Sequence, residues 1–269
     1  MAETIGFIAG ESPLPLLAIR EAHRQGKKVV VAAVKNLAVP ELAGEADSWA
    51  EFSLGQLGAV IRFFKKHGVR QALMVGRVRH TAIFSIWKAD GKFIHFLAKV
   101  KDKTTTSLLA TLADFFFAEG IEIIDSTVFL KDYLVAAKNY TPRHKVSKSL
   151  ARDLEFGWQK AWGIAALDIG QTICVKNRAV VAVEAMEGTD RTITRAAEIA
   201  GTGLVVIKVS RPSHDMRFDV PVVGLSTMAL LKDCRAAAFV LEAGKTLMLD
   251  QPQVIHLAQK AKIVLLGKT

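Results

Sequence analysis

Cysteine is scarce in this 269-residue sequence, which contains only Cys174 and Cys234. The two residues lie far apart in sequence, and neither has a second cysteine close enough to form a CxxC pair. This spacing excludes a disulfide framework and a zinc ribbon. We therefore expect a protein of a reducing compartment.

Long apolar runs are also missing from the sequence. No window reaches the roughly 18 consecutive apolar residues that a membrane-spanning helix needs. The first residues contain no basic segment leading into an apolar stretch, so we expect no secretory signal and a cytoplasmic location. Hydrophobic residues make up 51% of the chain and charged residues 23%, which excludes a disordered or collagen-like protein.

Acidic residues are fewer than basic ones: Asp and Glu number 26 and Lys and Arg number 36, for a formal net charge of +10. The excess is concentrated in residues 62–103, where Asp90 and Asp102 are the only acids and aromatic residues are interleaved. This basic segment is either a solvated face or a surface for nucleotide phosphates or an anionic membrane. A nucleic-acid partner ranks low, because zinc-finger spacing and RNP motifs are absent.

The order of apolar segments indicates an α/β fold that begins twice. A strand over residues 5–10 ends in glycine, and a helix over 16–25 and a second strand over 29–34 follow, which is the opening of a doubly wound parallel sheet. Beyond residue 150 the alternation restarts, with a strand predicted over 220–225 and a helix over 228–238. The polar segment 138–144 contains proline and lacks periodicity. We predict an N-terminal domain over 1–137, a linker at about 138–144 and a C-terminal α/β domain over 145–269.

The first candidate motif is Gly6-x-x-x-Gly10 at the end of the first strand. A glycine here lets backbone N–H groups approach a phosphate at the next helix N-terminus. A tight turn between a strand and a helix needs glycine just as often. The spacing is not GxGxxG, and no acid ends the second strand to hold a ribose. A nicotinamide-dependent oxidoreductase therefore ranks a distant third among the three functions considered, after the two that are given below.

The second motif places Glu184, Glu187, Thr189 and Asp190 within seven residues, where a predicted strand ends and a helix begins. Carboxylates at a strand end can hold Mg²⁺ through oxygen ligands, while Thr189 and the helix N-terminus offer donors to a phosphate. The alternative is a surface turn with a capped helix, which is the more common case for an isolated acidic turn.

The third motif follows a later strand, which ends in Lys208, and continues to Arg217 and Asp219 just before the next strand. Cations and a carboxylate at one edge of a sheet can neutralise phosphates and hold a metal or activate water. Arg217 and Asp219 could equally form a structural ion pair.

Together these segments resemble the LpxI family, the UDP-2,3-diacylglucosamine pyrophosphatases of lipid A biosynthesis. The resemblance extends in order over nearly the whole chain, and AVEAxEGTD with a downstream RxDxP is its most specific part. The matching runs are GFIAG at 6–10, GRVR at 76–79, LDIGQ at 167–171, AVEAMEGTD at 182–190, DMRFDVP at 215–221 and EAG at 242–244.

The resemblance implies an α/β fold of two domains with an interdomain substrate chamber: an N-terminal Rossmann-like parallel sheet and a C-terminal mixed-sheet catalytic domain. It further implies a homodimer and Mg²⁺-dependent hydrolysis of UDP-2,3-diacylglucosamine to UMP and 2,3-diacylglucosamine 1-phosphate (lipid X). From the charge of the basic segment we also infer a peripheral position on the cytoplasmic face of the inner membrane.

The resemblance also assigns site residues. Asp219 is the expected catalytic acid and, with Asp190, a ligand of Mg²⁺. Lys208 and Arg217 would help the metal offset the repulsion between the pyrophosphate and the incoming hydroxide, while Asp219 positions the attacking water. The expected substrate contacts are Gly10, Arg77, Gln171, Glu187, Thr189, Asp190, Lys208 and Arg217.

Two stretches depart from the family pattern. Glu11 and Ser12 stand at usually glycine-rich positions, and Thr104, Thr105 and Thr106 replace a Gly-Asp-Asp run. The threonines favour an alternative function, in which the protein binds a glycolipid or nucleotide-sugar with little or no turnover.

Overall fold

The computed structural model describes residues 2–78, 89–100, 105–211, 215–218 and 220–269. The described chain divides into two compact α/β units. The first unit extends through Leu130 and also includes Met216–Phe218, and the second begins at Lys131 and contains the remaining described residues. Within the described ranges, no helix is both long enough and apolar enough to cross a membrane.

The first unit is built on a five-stranded sheet of β1 (Thr4–Ala9), β2 (Lys28–Val34), β3 (Ser48–Phe52), β4 (Gln71–Val75) and β5 (Glu122–Ile123). The strand order is β3-β2-β1-β4-β5, and every pairing is parallel. Because β1 pairs with β2 on one side and β4 on the other, the chain reverses its direction of progress across the sheet at β1. Ligands of such sheets bind beyond the carboxyl ends of the strands at this point.

Helices cover this sheet, as the apolar β2 segment KVVVAAV, buried after its first residue, requires. Asp90 caps one of them by accepting from the Phe93 N–H at 2.9 Å, and it also accepts from the Gly58 N–H at 2.7 Å. One carboxylate thus joins two helices. The described helices of the unit are α1 (Leu14–Arg24), α2 (Leu42–Glu45), α3 (Leu57–Lys66), α4 (Gly91–Lys99) and α5 (Thr105–Ala118).

The second unit contains a mixed sheet of β6 (Thr172–Lys176), β7 (Ala179–Val183), β8 (Val205–Lys208), β10 (Ala238–Glu242) and β12 (Val264–Lys268), and β9 (Val222–Val223) pairs separately with β11 (Leu247–Met248). The strand order of the sheet is β12-β10-β8-β6-β7, and β6 runs antiparallel to both β7 and β8. The start of β6 therefore meets the ends of β7 and β8 at one edge. The two sheets confirm the predicted fold class, one parallel and one mixed.

The helices of the second unit are α6 (Lys148–Ala166), α7 (Thr189–Ala200), α8 (Leu225–Asp233) and α9 (Gln251–Lys260), after a short 3₁₀ helix at Lys131–Tyr133. The helix predicted over 228–238 thus starts and ends earlier. It ends at Asp233 because Arg235 adopts a left-handed φ of 47° and Ala238 already opens β10.

The segment 138–144, predicted as a linker, packs on the second sheet. The Tyr140 N–H donates to the Leu265 carbonyl at 2.9 Å, and the Leu265 N–H donates to Thr141 Oγ1 at 2.9 Å. Tyr140 is buried, and its hydroxyl accepts from the Ala136 N–H. Composition alone suggests a linker, whereas the backbone is bonded to β12. The predicted domain limits and the interdomain chamber stay predictions.

Candidate functional site

Polar side chains collect at the edge of the second sheet where β6 starts and β7 and β8 end. Thr172 and Lys208 are paired across β6 and β8, and both are buried. Glu184 follows β7, and its N–H donates to the Thr172 carbonyl at 2.8 Å. Buried polar groups require partners, and the partners of Thr172 and Lys208 lie at this edge.

Four side chains at this edge form what we call the lysine cluster: Thr172, Glu184, Thr189 and Lys208. Lys208 Nζ donates to Thr189 Oγ1 at 2.8 Å and to Thr172 Oγ1 at 3.3 Å. Thr189 Oγ1 in turn donates to Glu184 Oε1 at 2.9 Å, and Glu184 Oε2 lies 3.8 Å from Lys208 Nζ. The cluster therefore pairs an ammonium with a carboxylate directly and through one hydroxyl.

The N-terminus of α7 opens into this cluster. Thr189 is the first residue of the helix, and Gly188 before it has a φ of +85° and contributes no side-chain cap. The first-turn N–H groups of a helix have no acceptor within the helix and carry a partial positive charge. These N–H groups can donate to an anion beside the Lys208 ammonium, whose charge the Glu184 carboxylate partly balances.

Gly170 allows the preceding loop to approach the cluster closely. A Cβ at this position would lie 1.8 Å from the Glu184 carbonyl oxygen, so a larger residue does not fit. The next residue, Gln171, accepts from the Val209 N–H at 2.9 Å through its carbonyl. The structure thus places Gln171 at the same edge as Lys208 and Thr189.

Glu187 and Asp190 lie in the turn and first helical turn beside the cluster. Glu187 accepts from Arg195 at 2.6 Å and from the Ala185 N–H at 3.1 Å. The hydrogen bond from its own backbone N–H, followed by the one from Arg195, holds the pKa of the Glu187 carboxyl below its ordinary value. Asp190 Oδ1 accepts from Thr227 Oγ1 of α8 at 3.3 Å. Glu187 therefore organises the turn, and Asp190 links two helices.

A second buried carboxylate lies along the same edge, where β10 ends. Both the N–H and the hydroxyl of Ser210 donate to Glu242 Oε2 at 2.6 Å. These bonds fix the chain just after Lys208, as it leaves the sheet. No site role was predicted for Thr172, Ser210 or Glu242, because each has the appearance of an ordinary strand-end residue. Glu184 lies in the second motif, Ser210 in the third, and Glu242 opens the EAG run at 242–244.

The other predicted contacts lie in the first unit. The Gly10 N–H donates to the Val75 carbonyl at 2.9 Å, and Glu11 and Arg77 exchange two backbone hydrogen bonds. A Cβ on Gly10 would lie 2.6 Å from the Arg77 carbonyl oxygen, so the carboxyl ends of β1 and β4 meet through backbone. Arg217 lies in Met216–Phe218, where its guanidinium stands 4.9 Å from the Phe218 ring centre and its carbonyl accepts from Ser126 Oγ at 2.7 Å.

Asp219, the predicted catalytic acid, lies outside the described residues, as does Thr104. In the described part of the chain, no group of three or more His, Cys, Asp or Glu side chains could hold a metal ion. Of the two predicted Mg²⁺ ligands, the structure therefore describes only Asp190.

Comparison with known proteins gives matches along the whole chain. A family model for the LpxI N-terminal domain matches residues 4–133, and one for the LpxI C-terminal domain matches residues 137–266. The UDP-2,3-diacylglucosamine pyrophosphatase LpxI of Caulobacter vibrioides is 27% identical over 279 residues, and the alignment covers 98% of this chain and 96% of that protein.

Proposed function

The chain belongs to the LpxI family, and on that premise we propose that it hydrolyses the pyrophosphate bond of UDP-2,3-diacylglucosamine to UMP and lipid X. Membership of this family makes it a hydrolase with a role in lipid A biosynthesis. The exact products, the metal and the residues that carry the reaction belong to the proposal.

The lysine cluster at the start of α7 is the observation that carries the proposal. A pyrophosphate holds two negative charges, and these repel an incoming hydroxide. Lys208 and the N-terminus of α7 offset negative charge at one place, and such groups act more strongly at a buried edge than in water. We assign Lys208, Thr189 and Gln171 to the pyrophosphate, and keep Gly10, Arg77, Glu187, Asp190 and Arg217 as further proposed contacts.

Asp219 is the proposed catalytic residue. Its carboxylate accepts a proton from water as the water oxygen bonds to one phosphorus, and the bridging P–O bond breaks with its electrons going to the leaving phosphate. Attack at either phosphorus gives UMP and lipid X. Resemblance to the family motif RxDxP supports this assignment.

Mg²⁺ is the proposed cofactor, and the donors available suit it. Mg²⁺ prefers oxygen ligands and is commonly held by one or two carboxylates together with substrate phosphates rather than by a full protein cage. Asp190 is a carboxylate of this kind, next to the lysine cluster in sequence and with Thr227 on one oxygen. Asp190 and Asp219 would hold the ion, which would neutralise charge on the pyrophosphate oxygens.

A peripheral position on the cytoplasmic face of the inner membrane is also proposed, because the diacylated substrate is a lipid. In α4 the side chains of Phe93 and Phe96 are buried, while Ile94 is 60% and Leu97 44% exposed. This helix belongs to the basic segment and carries Lys92 and Lys99, and exposed apolar and cationic side chains both favour anionic lipid. A homodimer is proposed from the family resemblance alone, and light scattering of the purified protein tests it.

UMP release from UDP-2,3-diacylglucosamine tests the proposed function. We expect release with Mg²⁺, none with EDTA, and loss of release in Asp219→Ala with an unchanged melting temperature. Asp233→Ala, the same change at an exposed aspartate of the second unit, serves as the control and should keep wild-type rates. Binding of lipid X without UMP release would instead favour the non-hydrolytic alternative that Thr104, Thr105 and Thr106 suggest.

A further inference from the structure

The backbone of Glu184 is fixed from two sides. Its N–H is bonded to the Thr172 carbonyl of β6, and its own carbonyl faces Gly170 so closely that only glycine fits there. The side chain is 13% exposed. The Glu184 carboxylate thus projects from a rigid strand end rather than from a loop.

The hydrogen bonds of the cluster have one possible direction. An ammonium only donates and a carboxylate only accepts, so the Thr189 hydroxyl accepts from Lys208 and gives its single proton to Glu184 Oε1. The hydroxyl of Thr172 lies within 3.4 Å of Thr189 Oγ1 and accepts from Lys208 at 3.3 Å. Removing the acceptor at the end of this series frees the Thr189 hydroxyl to turn.

The charges of the cluster also depend on Glu184. A buried ammonium without a counter-charge is costly, whereas a buried pair with hydrogen bonds is tolerated. Glu184 Oε2 is buried and has no hydrogen-bond partner among the described residues, and Lys208 Nζ lies 3.8 Å away. The second carboxylate oxygen therefore balances the ammonium electrostatically while the first holds the hydroxyl.

We propose that Glu184 is a positioning residue, which holds the Lys208 ammonium and the Thr189 hydroxyl in the orientation that meets the substrate pyrophosphate. The inference rests on the proposed function, since it assigns to Glu184 an effect on that reaction. Glu184 acts through Lys208 and does not itself touch the substrate, because its carboxylate is directed to the cluster.

The test compares Glu184→Gln, Lys208→Met and the double variant by kcat and KM for UMP release. Glu184→Gln keeps an acceptor for Thr189 but loses the charge, and we expect kcat to fall about 10- to 100-fold, the range common for groups that orient active-site ligands. In the Lys208→Met background, the same change should alter kcat less than about 3-fold, because coupled residues are not additive. Losses that multiply in the double variant would overturn the proposal.

Asp153→Asn is the matched control. This buried carboxylate of the same unit accepts from the N–H groups of Asn177 and Arg178, so its loss should lower the melting temperature and leave kcat of the folded protein unchanged. If Glu184→Gln unfolds at the assay temperature, Glu184→Asp replaces it in the same comparison, since it withdraws the carboxylate from Thr189. A wild type without turnover contradicts the proposed function, whereas an active wild type and an equally active Glu184→Gln contradict this inference alone.

Discussion

Lys208 is buried at the end of β8. Its ammonium tolerates burial because three segments supply its partners: Thr172 from β6, Thr189 from the start of α7 and Glu184 just after β7. The partners lie at a strand start, at a helix start and just after a strand end, and together they restrict the ammonium from three segments. A charge fixed in advance stabilises a transition state without reorganising as the reaction proceeds.

Replacing this lysine should therefore affect catalysis strongly. We expect Lys208→Met to lower kcat about 100- to 1000-fold, the cost typical of losing one group that stabilises transition-state charge. Lys176→Met, the same substitution at the end of β6 away from the lysine cluster, should lower kcat less than about 3-fold. Steady-state UMP release measures both, and equal activity of the two variants would remove Lys208 from the site.

Cys174 should be chemically inert in the folded protein. Burial raises the pKa of its thiol to about 12, so below that pH the folded protein keeps the unreactive protonated form. At pH 8 iodoacetamide should modify Cys174 only after unfolding in urea, which peptide mass spectrometry detects. Rapid labelling of Cys174 in the native protein would show that this strand opens readily.

At the scale of elements, the close approach of the 168–171 loop to β7 decides the shape of the site edge. Gly170→Ala would place a methyl group 1.8 Å from the Glu184 carbonyl oxygen, so we expect a loss of about 2 kcal/mol or more in unfolding free energy and a lower kcat. Urea unfolding and UMP release measure the two effects.

Gly163→Ala provides the control for this change. Among the described residues, and apart from the chain neighbours and the backbone of the helix itself, no heavy atom lies within 4 Å of the Cβ that it would add on α6. Alanine favours a helix over glycine by about 1 kcal/mol. We expect a small gain in stability and unchanged activity. A stable Gly170→Ala with full activity would contradict the close approach.

Sequence patterns predicted the helices and strands better than the contacts between them. Local periodicity and turn residues predicted β1 with Gly10 after it, the apolar β2 and the strand–turn–helix at Glu184–Asp190. The lysine cluster was not, because Thr172 joins Lys208 through an antiparallel pairing between strands that are distant in sequence. Likewise, the strand predicted over 220–225 is only the two-residue β9, which pairs with β11 outside the main sheet.

The molecule as a whole comprises two family domains and has a formal net charge of +10. The proposed substrate is a lipid, which we expect to reside in a membrane. Exposed apolar side chains and lysines both favour binding to anionic lipid, and each lysine near the membrane contributes about 1 kcal/mol. The association should weaken as salt rises, because screening shortens the reach of the charges.

The basic segment should therefore carry vesicle binding. We expect Ile94→Ser with Leu97→Ser to weaken sedimentation with anionic vesicles, and Lys99→Gln to weaken it about 5-fold further. Ile199→Ser, at an exposed position of the second unit, should bind as the wild type does. Unchanged binding of the α4 variants, or equal binding to neutral vesicles, would contradict the proposed membrane position. Neither result would contradict the proposed hydrolase function.

Cleavage of one pyrophosphate bond can be observed by ³¹P NMR of the wild-type protein with UDP-2,3-diacylglucosamine and Mg²⁺. We expect the two coupled pyrophosphate resonances to disappear and two phosphomonoester resonances, from UMP and lipid X, to grow in equal amounts. Persistence of the pyrophosphate resonances with the protein folded and the lipid bound would contradict the proposed cleavage, as would products in unequal amounts.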